Sequence, residues 1–258
     1  MAEPEDWADN LNPVISALQR GHYLLYCQQI AALTEDASKR PFNEILVRLF
    51  EEERRLLPPG MFFPMLQEQG LMSLLDCWVV SQVLKLQSAA LLSRPDWIAP
   101  RNSINLSDDT VGDPEFVDFV VAQLDKWRPP TGTIAFEILE TIVETRPEAS
   151  ESLMSDLSAK ECEFGLGSFM GTTEGFATLA RLPIGFVKID GSLVRKLLVS
   201  PASQARVSTI NDRCHAHGIQ TVAEFVEDVE TLGVLSDIGV DFVQGFGISK
   251  PAPYLADL

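Results

Sequence analysis

The sequence predicts an α/β protein folded as a closed (β/α)8 TIM-like barrel, and three observations predict it. Short apolar runs alternate with amphipathic stretches along the second half of the chain, the signature of strands and helices packed in layers. The runs in the whole chain number eight, which suits a closed barrel better than an open sheet. Four of them end in a polar or acidic residue: Ile134-Ala135-Phe136-Glu137, Phe186-Val187-Lys188-Ile189-Asp190, Thr221-Val222-Ala223-Glu224 and Asp241-Phe242-Val243-Gln244. In a barrel of parallel strands such ends converge on one mouth, where chemistry is kept.

Taken in order, residues 1–10 are an acidic tail or linker end, and 11–258 form a single domain. Asn10 or Asn12 caps a first helix with Pro13 in its first turn, Val14, Ile15 and Leu18 on one face, and Gly21 at its end. His22 to Ile30 and Phe42 to Leu49 read as strands, and on the second Glu44, Leu46 and Arg48 share one face because side chains recur every second residue. The charged run Glu51 to Arg55 reads as a solvated loop or helix start. Helical stretches follow over Phe62 to Gly70 and on to about Leu92. Strands at Ser103–Ser107, Thr133–Ile138, Cys162–Ser168, Ile184–Ile189, Ile219–Ala223 and Val240–Val243 complete the eight, separated by helices near 114–127, 147–159, 173–181, 201–217 and, beyond Ala223, 228–236.

Composition narrows the function. Acids outnumber Lys and Arg by 37 to 20, a formal charge of −17, which argues against DNA or RNA as a partner. A small phosphorylated ligand needs only one or two local cations. The cysteines, Cys27, Cys77, Cys162 and Cys214, have no metal or redox spacing, and no signal peptide is recognisable, so a cytoplasmic protein with reduced thiols is expected. The longest apolar stretch, around Leu71 to Leu92, is broken by Asp76, Gln82, Lys85 and Gln87, so no membrane span is expected. Cys214, His215 and His217 do not bring two imidazoles to one helix face and are not read as a metal site.

Several motifs occur in a fixed order: Glu44-Ile45-Leu46 with Arg48, Asn105-Leu106-Ser107, Phe136 to Glu140, Leu182 to Asp190, Val222 to Glu227, Gln244-Gly245-Phe246 and Ser249-Lys250-Pro251. Together they resemble the EAL-domain family, barrel phosphodiesterases that act on cyclic di-GMP. The resemblance implies that Glu44, Asn105 and Glu137 would ligate one metal, that Lys188 and Glu224 would position water and ligand, and that Gln244 completes the mouth. The second metal would rest on an Asp-Asp pair. Reading back without a gap from Leu182-Pro183, that pair falls on Gly167-Ser168. A register that places Cys162-Glu163-Phe164-Gly165 on the motif keeps one acid but needs an insertion of about five residues, and the ungapped register is preferred.

Glycine has no donor atom and a serine hydroxyl is a weak neutral one, so no bimetal centre and no catalysis are expected. The resemblance then implies a receptor for cyclic di-GMP, with Gln28, Glu44, Leu46, Arg48, Phe62, Asp76, Asn105, Glu224, Phe225 and Gln244 as ligand-binding candidates and no required cofactor. Phe225 stands where the family commonly has Gly, and an aromatic there resembles the silent FimX-type receptors that regulate type IV pili. A protein effector such as a PilZ-type adaptor, acting in motility or biofilm control, is the implied partner, and the oligomeric state is open. Weak Mg²⁺- or Mn²⁺-dependent hydrolysis, with Glu163 replacing the lost pair, is the alternative, and a nucleotide-free interaction scaffold is a third. Taken singly, Arg48 reads equally as a surface ion pair, Phe225 as core packing, Gln28 and Gln244 as buried amides and Asn105 as a turn closer. The ordered set is what favours ligand contact.

Overall fold

A computed structural model describes residues 22–34, 37, 40–50 and 56–255. The acidic tail, the helix expected between Asn10 and Gly21 and the charged run at 51–55 lie outside these residues. The strands are β1 (Tyr23–Ala32), β2 (Phe42–Phe50), β3 (Leu56–Leu57), β4 (Arg101–Asn105), β5 (Ile134–Leu139), β6 (Glu163–Phe169), β7 (Phe186–Ile189), β8 (Gln220–Ala223), β9 (Phe242–Val243) and β10 (Ala252–Pro253). The helices are α1 (Pro59–Glu68), α2 (Met72–Ser93), α3 (Asp108–Val111), α4 (Phe116–Trp127), α5 (Glu140–Thr145), α6 (Pro147–Ser158), α7 (Thr173–Arg181), α8 (Gly191–Val194), α9 (Pro201–Ala216) and α10 (Val229–Ile238).

The barrel closes through β1-β2-β4-β5-β6-β7-β8-β9 and back to β1, with β3 and β10 as short additions. From β2 and β4 to β9 the pairings are parallel, as the strand and helix alternation predicts. β1 differs. It runs antiparallel to both neighbours, pairing Tyr23 with Leu49 and Ile30 with Phe42 on one side and Ala32 with Phe242 on the other. A short connection can join β1 to β2 only as a hairpin, because parallel neighbours need a crossover of a dozen or more residues.

Strand alternation sorts the side chains into two cores. Ile30, Phe42, Ala135, Phe186, Val222 and Phe242 fill the inside, while the larger cluster, including Phe136, Phe164, Leu166, Val187 and Ile189, lies between strands and helices. Below the inner layer, Arg101 of β4 donates to Glu163 at 2.6 Å and to Gln220 at 2.8 Å. Its guanidinium lies over Phe42 at 4.1 Å and Phe186 at 4.6 Å. This plug closes the end where β4, β6 and β8 begin.

The helices begin where their caps dictate. Ser107, Thr172, Asp190, Ser200 and Asp228 each accept a backbone N–H of the first turn of the helix they precede, a contact worth about 1 kcal/mol. Among the described residues no helix is long and apolar enough to cross a membrane.

Candidate functional site

A side chain two positions along a strand points the same way, so each residue of the inner layer has a partner one step nearer the mouth. Ile30 leads to Gln28, since β1 runs backwards, Phe42 to Glu44, Ala135 to Glu137, Phe186 to Lys188, Val222 to Glu224 and Phe242 to Gln244. This register is what gathers residues far apart in the chain.

Lys188 sits at the centre, wholly buried, with its Nζ 2.7 Å from Glu137, 3.0 Å from Glu44 and 3.6 Å from Glu224. Glu44 also accepts from Asn105 Nδ2 at 2.8 Å and Gln244 Nε2 at 2.6 Å. Gln244 reaches Gln28 Oε1 at 3.1 Å, and Gln28 in turn donates to the Ser249 carbonyl. Ser103 Oγ donates to Glu137 at 3.3 Å, a member of the network that the motifs did not single out.

One cation faces three acids, and the protonation equilibria follow. Burial alone would lower the Lys188 ammonium, but Glu137, Glu44 and Glu224 hold it well above the ordinary lysine value. Burial, opposed by Lys188 and reinforced by Glu44 and Glu224, pushes Glu137 up to about 7. Burial also raises Glu224, whereas at Glu44 its effect is outweighed by Lys188 and the Asn105 and Gln244 hydrogen bonds, which hold that carboxylate below its usual range.

Gly167 lies on the same inward face, at the end of β6 and paired with Leu139. A Cβ there would lie 2.6 Å from Glu137 Oε1, so position 167 is aimed at the carboxylate cluster. Ser168 follows in the left-handed region with φ 54°, within the register shift between Leu166 and Phe169. Glu140, at the start of α5, anchors the next residues by accepting the Met170 N–H at 3.0 Å. The geometry supports the ungapped register: Glu163 stands at the opposite end of β6, ion-paired to Arg101, and cannot replace an acid at the mouth. Position 167 offers no ligand atom and position 168 a neutral hydroxyl, and Lys188 is ion-paired to both Glu44 and Glu137.

Two cavities flank the cluster. One, of about 310 Å³, is lined by Gln28, Glu44, Glu224, Phe225, Gln244 and Phe246. The other, of about 450 Å³, runs from Asn105 and Glu137 past Leu46, Phe63, Asp76 and Leu139. Asp76 points from α2 into the loop after β4 and accepts from Ser107 N at 2.8 Å and Thr110 Oγ1 at 2.6 Å. Its burial outweighs these bonds and pushes its carboxyl up to about 6. Arg48 lies beyond Leu46 at the rim, over the Tyr26 ring at 5.6 Å, with Nη1 on the Val47 carbonyl.

Of the ligand-binding candidates, Phe62 is misplaced. It is 1% exposed and packs edge-on against Tyr23 and Phe63 in the helix-side core, while its neighbour Phe63 lines the cavity. α1 begins at Pro59, three residues before the start read from the sequence, and two adjacent phenylalanines on one helix point 100° apart. His215 bonds to Asp241 at 2.8 Å, away from the mouth, and Cys214 is buried.

A family model described as the EAL domain matches residues 16–251. The chain belongs to the EAL domain family. Curated relatives include the cyclic di-GMP phosphodiesterase PdeB of Shewanella oneidensis, 32% identical over 93% of this chain and 28% of that protein. The cyclic di-GMP phosphodiesterase PdeF of Escherichia coli is 28% identical over 99% of this chain and 33% of its own length. The chain thus spans about a third of these relatives. Among solved EAL structures, the FimX EAL domain from Pseudomonas aeruginosa bound to c-di-GMP superposes with a TM-score of 0.86 at 24% identity, covering 94% of this chain and 96% of that one. The EAL enzyme Bd1971, bound to cAMP and cyclic di-GMP, gives a TM-score of 0.82 at 26% identity over 98% of this chain and 68% of its own.

Proposed function

We propose that this EAL domain is a cyclic di-GMP receptor without phosphodiesterase activity, passing ligand occupancy to a protein partner. The observation that carries the reading is Gly167: the inward position nearest Glu137 at the end of β6 has no side chain. Without a second set of anionic ligands, no water can be activated between two cations. Binding asks for less. Arg48 at the rim supplies a fork of donors to phosphate, and the flanking cavities accept one base each. The amides of Gln28 and Gln244 and the carboxylate of Asp76 offer acceptors to a guanine edge, and Phe225 offers a stacking face. The three carboxylates repel phosphate, so the phosphates lie towards Arg48. The relatives support the ligand class, since PdeB and PdeF are named for cyclic di-GMP and the FimX domain was solved with it. The partner fits a PilZ-type adaptor in pilus, motility or biofilm control, in the cytoplasm.

The names of PdeB and PdeF favour a second reading, residual metal-dependent hydrolysis. Titration of cyclic di-GMP by calorimetry, once in EDTA and once in Mg²⁺, separates the two when paired with an assay for the linear dinucleotide. Micromolar binding that survives EDTA, with no product, is expected; product formed in Mg²⁺ or Mn²⁺ would refute the receptor reading. The double variant Gly167→Asp with Ser168→Asp tests whether those two positions alone account for the loss.

A further inference from the structure

The backbone at Phe225 has φ 58°, in the left-handed region. For a bulky residue this is unusual and costs stability, and such strain persists where the surroundings fix it. Two residues of one segment do so. Gly191 opens α8, and a Cβ there would overlap the Phe225 ring, so the ring lies directly on the backbone of residue 191. Arg195, four residues on and therefore on the same side of the turn, places its guanidinium 4.4 Å from the ring centroid. The ring remains 51% exposed and lines the 310 Å³ cavity beside Glu224 and Gln244. Among the described residues Arg195 makes no ion pair, so the ring is its structural partner.

We propose that Arg195 is a positioning residue of the nucleotide site, holding Phe225 as a base platform and lending it positive charge. The inference rests on the receptor reading and deepens it. The guanidinium fixes the side chain of Phe225 against Gly191 and brings a cation to the ring that lines the cavity, where it attracts a dianionic dinucleotide. An exposed cation on a ring contributes modestly, and a base stacked on that ring contributes more.

The test is calorimetric titration of cyclic di-GMP into the full chain and into Arg195→Gln, Arg195→Lys and Lys196→Gln, each at low and high NaCl, with the guanine absorbance followed. Arg195→Gln is expected to weaken binding about three- to ten-fold at low salt, to flatten the salt dependence and to reduce the hypochromic change of a stacked base. Arg195→Lys should recover part of the affinity, and Lys196→Gln, an exposed neighbour, should change it little. Thermal unfolding should be alike in all four. Wild-type affinity and salt dependence in Arg195→Gln, or an equal loss in Lys196→Gln, would overturn the role of Arg195 while leaving the receptor reading intact. Absence of binding by the unaltered chain in both EDTA and Mg²⁺ would overturn both.

Discussion

The barrel holds a buried ion cluster at each end, and they are built on opposite terms. At the closed end one cation meets one acid: Arg101 faces Glu163, with Gln220 taking a further donor and two phenylalanines covering the guanidinium. At the mouth one cation, Lys188, meets Glu44, Glu137 and Glu224, and two cavities open beside them. The first cluster is balanced in charge and largely covered, with Arg101 the more buried partner. The second has more acids than cations beside two open cavities, the arrangement on which the proposed ligand site rests.

The comparison breaks most sharply at Arg101. Arg101→Met leaves the half-buried Glu163 without its cation and should cost about 3 kcal/mol in urea unfolding, the low end for a broken buried pair, and adding Glu163→Leu should recover most of that. Ligand affinity of the folded fraction should stay unchanged; if it falls, the two ends are not independent. Next is Asp76, on the mouth side. Its folded pKa, raised to about 6 from 3.8, means the stabilising proton is fully present below pH 3.8 and lost as pH rises through about 6. Asp76→Asn should therefore match the wild type near pH 4 and be the more stable above pH 7, by up to about 3 kcal/mol. Equal unfolding midpoints at both pH values would show that Asp76 is not desolvated.

Smaller effects sharpen the mouth. Arg48→Ala should weaken cyclic di-GMP binding by about 2 kcal/mol, the scale of a charge-assisted contact, measured by calorimetry in EDTA; unchanged affinity would place the phosphates elsewhere. Phe225→Gly separates binding from folding. It relieves the left-handed backbone, so stability should stay within about 1 kcal/mol of the wild type, while affinity falls by about 1 to 2 kcal/mol as a stacking face is lost. A large loss of stability would return Phe225 to core packing.

How much of this could be read in advance differs between the two ends. The mouth was legible because strand alternation repeats: Glu137, Glu224 and Gln244 each close a short apolar run, Glu44 and Lys188 stand two residues beyond Phe42 and Phe186, and the family motifs pick out the same positions. The absence of acids at Gly167-Ser168 was legible for the same reason. The plug was not, because Arg101 precedes the strand as read from Ser103 and Glu163 was considered only as a substitute for the lost acid pair; only closure of the barrel brings them together. Phe62 was a candidate through the family resemblance alone, and a helix whose start is uncertain by one turn has no fixed phase against which to test it. The left-handed backbone of Phe225 left no trace beyond the family's habitual glycine, and the reversed direction of β1 leaves none in periodicity, since alternation reads the same both ways.

That reversal has a mechanical consequence. Tyr23 pairs with Leu49 and Leu24 with Arg48, so the polypeptide enters the barrel at the rim of the mouth and descends. In a barrel of uniform direction the entry point would lie at the plugged floor. Here a pull or twist on the chain just before His22 is delivered first to the hairpin that carries Gln28, Glu44, Leu46 and Arg48. The lever arm between the incoming chain and the proposed phosphate contact is one strand pairing long.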